Sequence, residues 1–319
     1  MSPTGARALA GPTRASAREV AGLARELQPL LRAESGIPLD REYPLLFHHG
    51  PFAHHFTIRD GEGLLLSHAA LLVRHLVCGN RRLRIGMISN LVTRPESRRR
   101  GLAGALVEQC LARMVESRCA VALAWSDRES FYSRYGFERM GRESIFHLEG
   151  AALPTGEPHP LEKRHLPGLF SLHEAKLLRV ERNPAEMTRL LAIPRMEVFV
   201  LEGAESRPLA YLCLGKGEDF RGFVHECGGA PADLVKLLGG LLRRRRPALL
   251  PLLLSPLDRS TGLLLARGGA TRSEGALGLG RVLDRAALAA FAAHLGPLAS
   301  RLEGPEPFLP FYLEGLDSV

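Results

Sequence analysis

The segment Leu91-Val-Thr-Arg-Pro-Glu-Ser-Arg98-Arg-Arg-Gly101-Leu-Ala103-Gly104 constrains this chain more than any other, because it reads as a strand running straight into a phosphate cradle. Residues 82–88, just before it, alternate polar and apolar side chains, the period of a strand with one buried face. After it, Leu102, Leu106, Cys110 and Met114 fall on one stripe, with Ala103, Val107, Leu111 and Val115 beside it, as on the inner face of a helix. Gly101 and Gly104 remove side chains at the helix start, so an anion can reach backbone N–H groups whose dipoles favour it. Arg98, Arg99 and Arg100 stand at the same mouth. A pyrophosphate is the natural guest of such a junction.

These residues resemble the phosphate signature of the GNAT superfamily of acetyl-CoA-dependent N-acetyltransferases, Gln/Arg-x-x-Gly-x-Gly/Ala, matched by Arg98-Arg99-Arg100-Gly101-Leu102-Ala103. A second match follows in Phe131-Tyr132-Ser-Arg-Tyr135-Gly136-Phe137, which is similar to the family's Tyr-x-x-x-Gly-Phe element. The resemblance covers roughly the first 150 residues. It implies an α/β fold of tandem GNAT type, with a mixed central sheet and flanking helices in each domain. It implies acetyl-CoA as co-substrate, the pyrophosphate held by Arg98, Arg99, Arg100, Gly101, Leu102, Ala103 and Gly104, and backbone contacts to the donor from a bulged strand at Leu91, Val92 and Thr93. Tyr132 would serve as general acid for the departing thiolate, with Tyr135 an equally available phenol. The pattern departs from the family where many members carry a glutamate ahead of the Leu91 position, for Ser89 and Asn90 stand there instead. The base is therefore sought elsewhere, at Asp127, His48 or His49.

At 319 residues the chain has room for two domains. Organisation along it reads as a flexible leader over 1–15, a GNAT domain over 16–150, a linker over 151–158, a degenerate GNAT-like domain over 159–304 and a docking tail over 305–319. A helix is expected over 16–32 with Ser16 as its cap, and a short one over 40–47 interrupted by Pro44. Two hairpins follow: 56–59 with 64–68 through Asp60-Gly61, and 69–77 with 82–92 through Gly79-Asn80. The apolar run 119–125 suits a strand buried on both faces and parallel to its predecessor. A short helix and a strand over 137–148 then close the domain. Beyond the linker come helices from Arg164 and from Asn183-Pro184, strands near 197–201, 209–214, 220–226 and 248–254, and helices over 231–242 and around Leu288, Phe291, Ala292 and Leu295. The second strand-to-helix junction, His225 to Pro231, lacks the cradle motif, and Glu226 there reads as a strand-end residue bonded across the domain interface.

Charge excludes less than it suggests. The net charge is +8, yet only four of the 42 basic residues are lysine, so genome composition explains the excess as well as a nucleic-acid partner does. Arg243–Arg246 complement a helix dipole, and no aromatic residues interleave with them for base stacking. Five cysteines without C-x-x-C spacing read as small core residues, not as a disulfide framework or zinc site. Consecutive histidines at 54 and 55 on a strand point to opposite faces, so no metal is expected. No run reaches the roughly 20 apolar residues of a membrane span. A cytoplasmic enzyme is expected, which moves an acetyl group to a primary amine on a small molecule or peptide by direct attack in a ternary complex. Self-association stays open, and a non-catalytic acyl-CoA sensor is the alternative. The aromatics of the tail suggest docking against a groove. The chain resembles two-domain aminoglycoside acetyltransferases of the enhanced-intracellular-survival type, whose terminal carboxylate lies in the active site, so Asp317 or the Val319 carboxylate is expected near the acceptor site.

Overall fold

The computed structural model describes residues 11–47, 50, 52–246, 250–294, 312–315 and 317. His48, His49, Leu295, Val319, most of the leader and residues 305–311 of the tail lie outside the described residues.

Among the described residues, two mixed sheets carry the fold. The first has eight strands, in the order Thr13–Arg14, Ala53–Arg59, Leu65–Cys78, Arg81–Thr93, Val121–Ala124, Gly278–Val282 and Glu138–Met140, with Leu178–Val180 paired to the far end of Leu65–Cys78. The second has seven, in the order Thr271–Gly275, Glu143–His147, Pro251–Leu254, Val224–Gly229, Pro208–Leu214, Glu197–Glu202 and Pro158–Pro160. Each sheet contains one parallel pair joined through a 15-residue helix, Leu102–Glu116 in the first and Pro231–Arg245 in the second. Both faces of these pairs are covered, which is why residues 121–124 and 251–254 are apolar throughout.

Local chemistry explains most element boundaries. Ser16 accepts from Glu19 N–H while the Glu19 carboxylate accepts from Ser16 N–H, a capping box that starts helix Ala17–Leu31. Asn183 and Glu186 make the same exchange at helix Pro184–Leu190. The expected helix over 40–47 is two single turns, Leu39–Glu42 and Pro44–Phe47, because Pro44 has no N–H to continue the ladder. Residues 64–68 and 69–77, expected as separate strands, form one 14-residue strand, since no turn residue separates His68 from Ala69. A bulge at that point absorbs the mismatch with Arg81–Thr93. Val115, expected to face inward, is 61% exposed. Phe220 belongs to a loop rather than to the strand expected over 220–226, which runs Val224–Gly229.

The sheets exchange strands. The strand expected over 137–148 breaks at Gly141, where φ is +73°. Glu138–Met140 stays in the first sheet, whereas Glu143–His147 inserts between Pro251–Leu254 and Thr271–Gly275 of the second. In return Gly278–Val282 inserts between Val121–Ala124 and Glu138–Met140. The sequence boundary at residue 150 therefore does not divide the sheets. A common core packs them together, drawing Leu23, Leu72 and Met87 from one side and Met187, Val200 and Tyr211 from the other.

Candidate functional site

The first sheet opens where its parallel pair separates. Arg81–Thr93 pairs with Val121–Ala124 only from Ile85 to Ile88, so residues 89–93 run on without that neighbour. At Asn90 the backbone turns to φ 49°, and Asn90 and Leu91 together face Ala69. His68 fixes this bulge: its Nδ1–H donates to the Asn90 carbonyl at 2.9 Å, and its other ring nitrogen lies 3.0 Å from His55 Nδ1. Burial pushes the His68 imidazole down to about 3, so it stays neutral. His54, one residue along, is also buried and pushed down by burial to about 4.

A cavity of about 680 Å³ fills the opening. It gathers Leu91, Val92, Thr93, Arg98, Ala103, Asp127 and Tyr132, residues from five separate segments. Gly101 caps helix Leu102–Glu116 in the left-handed region, with φ 78°, and brings no capping side chain. The N–H groups of the first turn have no partner inside the helix, and Ala103 of that turn lines the cavity. Arg99 and Arg100 are exposed outside the cavity, while Arg98 folds back to donate from Nε to the Thr93 carbonyl at 3.3 Å. Leu102 is buried in the core. Gly104 is required for a different reason than expected: a Cβ there would collide with the Tyr135 hydroxyl, so the glycine seats Tyr135 against the helix.

Tyr132 is 5% exposed and packs edge-on against Phe131 and Phe137, with centroids 5.1 and 5.4 Å away. Its hydroxyl makes no hydrogen bond among the described residues, and burial raises its proton affinity to about 12. Asp127 follows the strand end and makes no ion pair among the described residues. Asn90 adds a group that the sequence had marked only as a departure: its side-chain Nδ2 is buried without a partner at the bulge. An uncompensated buried donor costs about 1–3 kcal/mol, and an acceptor entering the cavity would relieve it.

The far end of the cavity is built from residues that sequence reasoning missed. Arg32, Tyr43 and Asp219 form a triad in which Asp219 accepts from Arg32 Nη2 and from the Tyr43 hydroxyl, both at 2.6 Å. Asp219 and Phe220 come from the loop between Pro208–Leu214 and Val224–Gly229, so the second sheet supplies a wall of the first sheet's cavity. The glycine-dense run Gly215-Lys-Gly-Glu-Asp-Phe-Arg-Gly222 was the available signal for a loop that must turn tightly.

The remaining candidates sit elsewhere. Glu226 is buried and accepts two bonds from Arg182, at 2.8 and 2.7 Å, and one from Tyr211 at 2.8 Å. Burial opposes its charge, but Arg182 and Lys176 hold it well below the usual carboxylate range. Asp317, expected at the acceptor site, instead receives Arg182 Nε at 3.2 Å and Nη2 at 2.5 Å and does not line the cavity. A carboxylate so pinned is an anchor, not a base. Among the described residues one group could hold a metal ion, His173 with Glu226 and Glu314, but both carboxylates are already bonded to Arg182 or Lys176. All five cysteines are free and buried. Arg244 and Arg245 bond to the Pro158 carbonyl and to Glu197, a structural use of the arginine run. No described helix is long and apolar enough to cross a membrane.

The sequence model of the acetyltransferase (GNAT) domain family matches residues 49–140, the span that holds the bulge, the cradle and Tyr132. That span is a GNAT acetyltransferase domain. The chain is accordingly an acyltransferase, in a fold of two mixed sheets with flanking helices. No curated protein matches it in sequence. Among solved structures it is similar to a protein of unknown function, probable N-acyltransferase, from Enterococcus faecalis V583, with a TM-score of 0.67 at 12% identity, over 87% of this chain and 73% of that one. It is also similar to a GCN5-related N-acetyltransferase from Anabaena variabilis, with a TM-score of 0.63 at 16% identity over 85% and 72% of the two chains. Eis1 from Mycobacterium abscessus gives 0.59 at 18% identity over 86% and 74%. These likenesses establish the GNAT-like fold over most of the chain.

Proposed function

We propose that this protein transfers an acetyl group from acetyl-CoA to a primary amine by direct attack within a ternary complex. The observation that carries the reading is the single cavity that joins the cradle, the bulge, Tyr132 and Asp127. On this reading the pyrophosphate rests on the N-terminus of helix Leu102–Glu116, with Arg98, Arg99 and Arg100 supplying positive charge at the mouth. The pantetheine arm then lies along Leu91, Val92 and Thr93, whose backbone groups have no neighbour from Val121–Ala124. The thioester carbonyl finds donors at the bulge, where a backbone N–H and the uncommitted Asn90 Nδ2 polarise it.

A lysine-like amine has a pKa of about 10.4 and must lose a proton before it attacks. Asp127 accepts that proton, directly or through water. The neutral nitrogen adds to the thioester carbon, the carbon–sulfur bond breaks, and the thiolate leaves with a hydrogen bond from the Tyr132 hydroxyl. The second ammonium proton completes the balance, so the products are amide, thiol and one released proton. The triad Arg32–Tyr43–Asp219 bounds the acceptor end. The first sheet holds the chemistry, and the second completes the pocket.

Calorimetric titration of acetyl-CoA into the wild type and into Ala103→Glu tests the donor site, since Ala103 lines the cavity and tolerates a side chain without backbone strain. Binding lost in the variant, together with thiol release on adding amines, supports the reading. A folded wild type that binds no acetyl-CoA ends it.

A further inference from the structure

The second sheet has its own opening. Val224–Gly229 and Pro251–Leu254 meet at a single recorded pair, Val224 with Leu252, and separate beyond it. A cavity of about 410 Å³ lies between them, walled largely by leucines and reaching the start of helix Pro231–Arg245. Two further residues of its wall, Tyr312 and Glu314, come from the tail.

The tail is seated in this opening as a peptide ligand is seated on a strand. Gly315 N–H donates to the His225 carbonyl at 3.0 Å, a backbone bond of the kind an added strand makes. No other residue fits there, because a Cβ on Gly315 would sit 2.6 Å from the His225 Cβ. Lys176 Nζ holds the Glu314 carboxylate at 2.6 and 2.7 Å, and Arg182 holds Asp317. The Gly315 carbonyl accepts from Lys216 Nζ at 2.6 Å.

Lys216 connects this docking to the other sheet. It is 2% exposed and lies at the base of the loop that ends in Phe223, with its ammonium 5.6 Å from the Phe220 ring centroid. The N–H groups of Asp219 and Phe220 both donate to the Lys216 carbonyl, at 3.1 and 3.3 Å. Asp219 and Phe220 are the residues this loop gives to the first cavity.

We propose that the tail residues Tyr312–Gly315 and Asp317 act as a built-in ligand of the second sheet, and that through Lys216 they set the loop presenting Asp219 and Phe220 to the acceptor. Lys216 is thus a positioning residue for acyl transfer, and this role rests on the amine-acetylation reading above. The effect is expected at the acceptor end, since Asp219 of the loop is bonded to Arg32 and Tyr43 there.

Trp125 is the only tryptophan of the chain and lines the same cavity as Phe220 and Asp219, so its emission reports loop position without any substrate. Lys216→Met keeps the buried stem and removes the ammonium, and Asp317→Asn loosens the tail while leaving Lys216 intact. Both variants should shift Trp125 emission and raise the amine KM about tenfold, the scale of one lost charge-assisted hydrogen bond. The acetyl-CoA KM should stay within about twofold. If Lys216→Met fails to fold, Asp317→Asn decides. Unchanged Trp125 emission in a folded variant overturns the proposal, as does an equal change in both KM values. A wild type without acyl transfer would instead sink the proposed function, and the Trp125 signal would still decide whether the tail sets the loop.

Discussion

Replacing Tyr132 by phenylalanine separates chemistry from packing more cleanly than any other change to this cavity. The ring keeps its edge-on contacts with Phe131 and Phe137, and the hydroxyl that is lost has no hydrogen-bond partner among the described residues. Stability should therefore change by no more than about 0.5 kcal/mol. The kinetic effect follows from two proton affinities. Burial raises the phenol to about 12, whereas an ordinary thiol sits near 8.5, so complete proton transfer to the thiolate is uphill by roughly 3.5 units, or about 5 kcal/mol. On the proposed function, Tyr132 thus contributes as a hydrogen-bond donor to the developing thiolate rather than as an acid that ionises fully. A bond to a charged group is worth about 1.5–3 kcal/mol, which corresponds to a loss of roughly 10- to 150-fold in kcat. The KM for acetyl-CoA should hardly move, because the contact strengthens only as the sulfur gains charge. The assay is thiol release against pH with wild type and Tyr132→Phe. The wild-type rate should show no loss from Tyr132 ionisation below about pH 11. A variant that keeps more than half the wild-type kcat, with any amine that is turned over, refutes the assignment. An alkaline limb near pH 10 that disappears in the variant refutes the burial argument while keeping the role.

Four further outcomes follow from the packing. Arg182→Met should cost about 3–5 kcal/mol in denaturant titration, because it strands Glu226 and Asp317 in the interior; adding Glu226→Gln and Asp317→Asn should restore most of that loss. Gly240→Ala should destabilise by more than about 2 kcal/mol, although alanine is the better helix former by about 1 kcal/mol, since its Cβ would collide with the Gly156 carbonyl oxygen. Burial raises Glu143 to about 7, so the native state binds more protons than the unfolded chain between pH 4.5 and 7, and stability should fall as pH rises through that window. Partial exposure of Glu143 limits the fall to the order of 1 kcal/mol, and Glu143→Gln should flatten it in thermal melts. Residues 11–150 expressed alone should show no cooperative melt, because the gap between Val121–Ala124 and Glu138–Met140 is filled only by Gly278–Val282.

Much of the first cavity was legible because it is local in sequence. Gly101 announces its left-handed turn, Arg98 and Ala103 lie close on either side of it, and Tyr132 stands a fixed step ahead of Gly136. The acceptor end was not legible, since Arg32, Tyr43 and Asp219 meet across up to 187 residues and each has a bland local reading. Ser16 and Asn183-Pro184 marked helix starts because a cap acts within the first turn, and the structure closes both with capping boxes. Strand pairing followed no such local rule. Gly278–Val282 and Glu143–His147 look like any short strand, and only the unfilled place beside each parallel pair decides where they go. In the tail, Tyr312 is buried and lines the second cavity, while the charge of Asp317 suggested chemistry where Arg182 demanded a partner.

The strand exchange gives the second sheet a reason to exist that needs no chemistry of its own. Each sheet lends the other the strand beside its parallel pair, so neither can move away without breaking backbone ladders in both. That coupling fixes the loop bearing Asp219 and Phe220 over a cavity built by the other half of the chain. A loop tethered only by its own hairpin would sample many positions, and the proposed attack of an amine on a thioester demands placement to a fraction of an ångström. Here the tethers are the Arg32–Asp219 and Tyr43–Asp219 bonds on one side and Lys216 with the docked tail on the other. The second junction runs from His225 to Pro231 beside the opening of its sheet. Ala230 caps its helix with no arginine between His225 and Pro231, Gly229 beside it has φ +134°, and the tail takes the His225 carbonyl. On the proposed function, a sheet that binds part of its own chain binds no donor, and its geometry serves the acceptor.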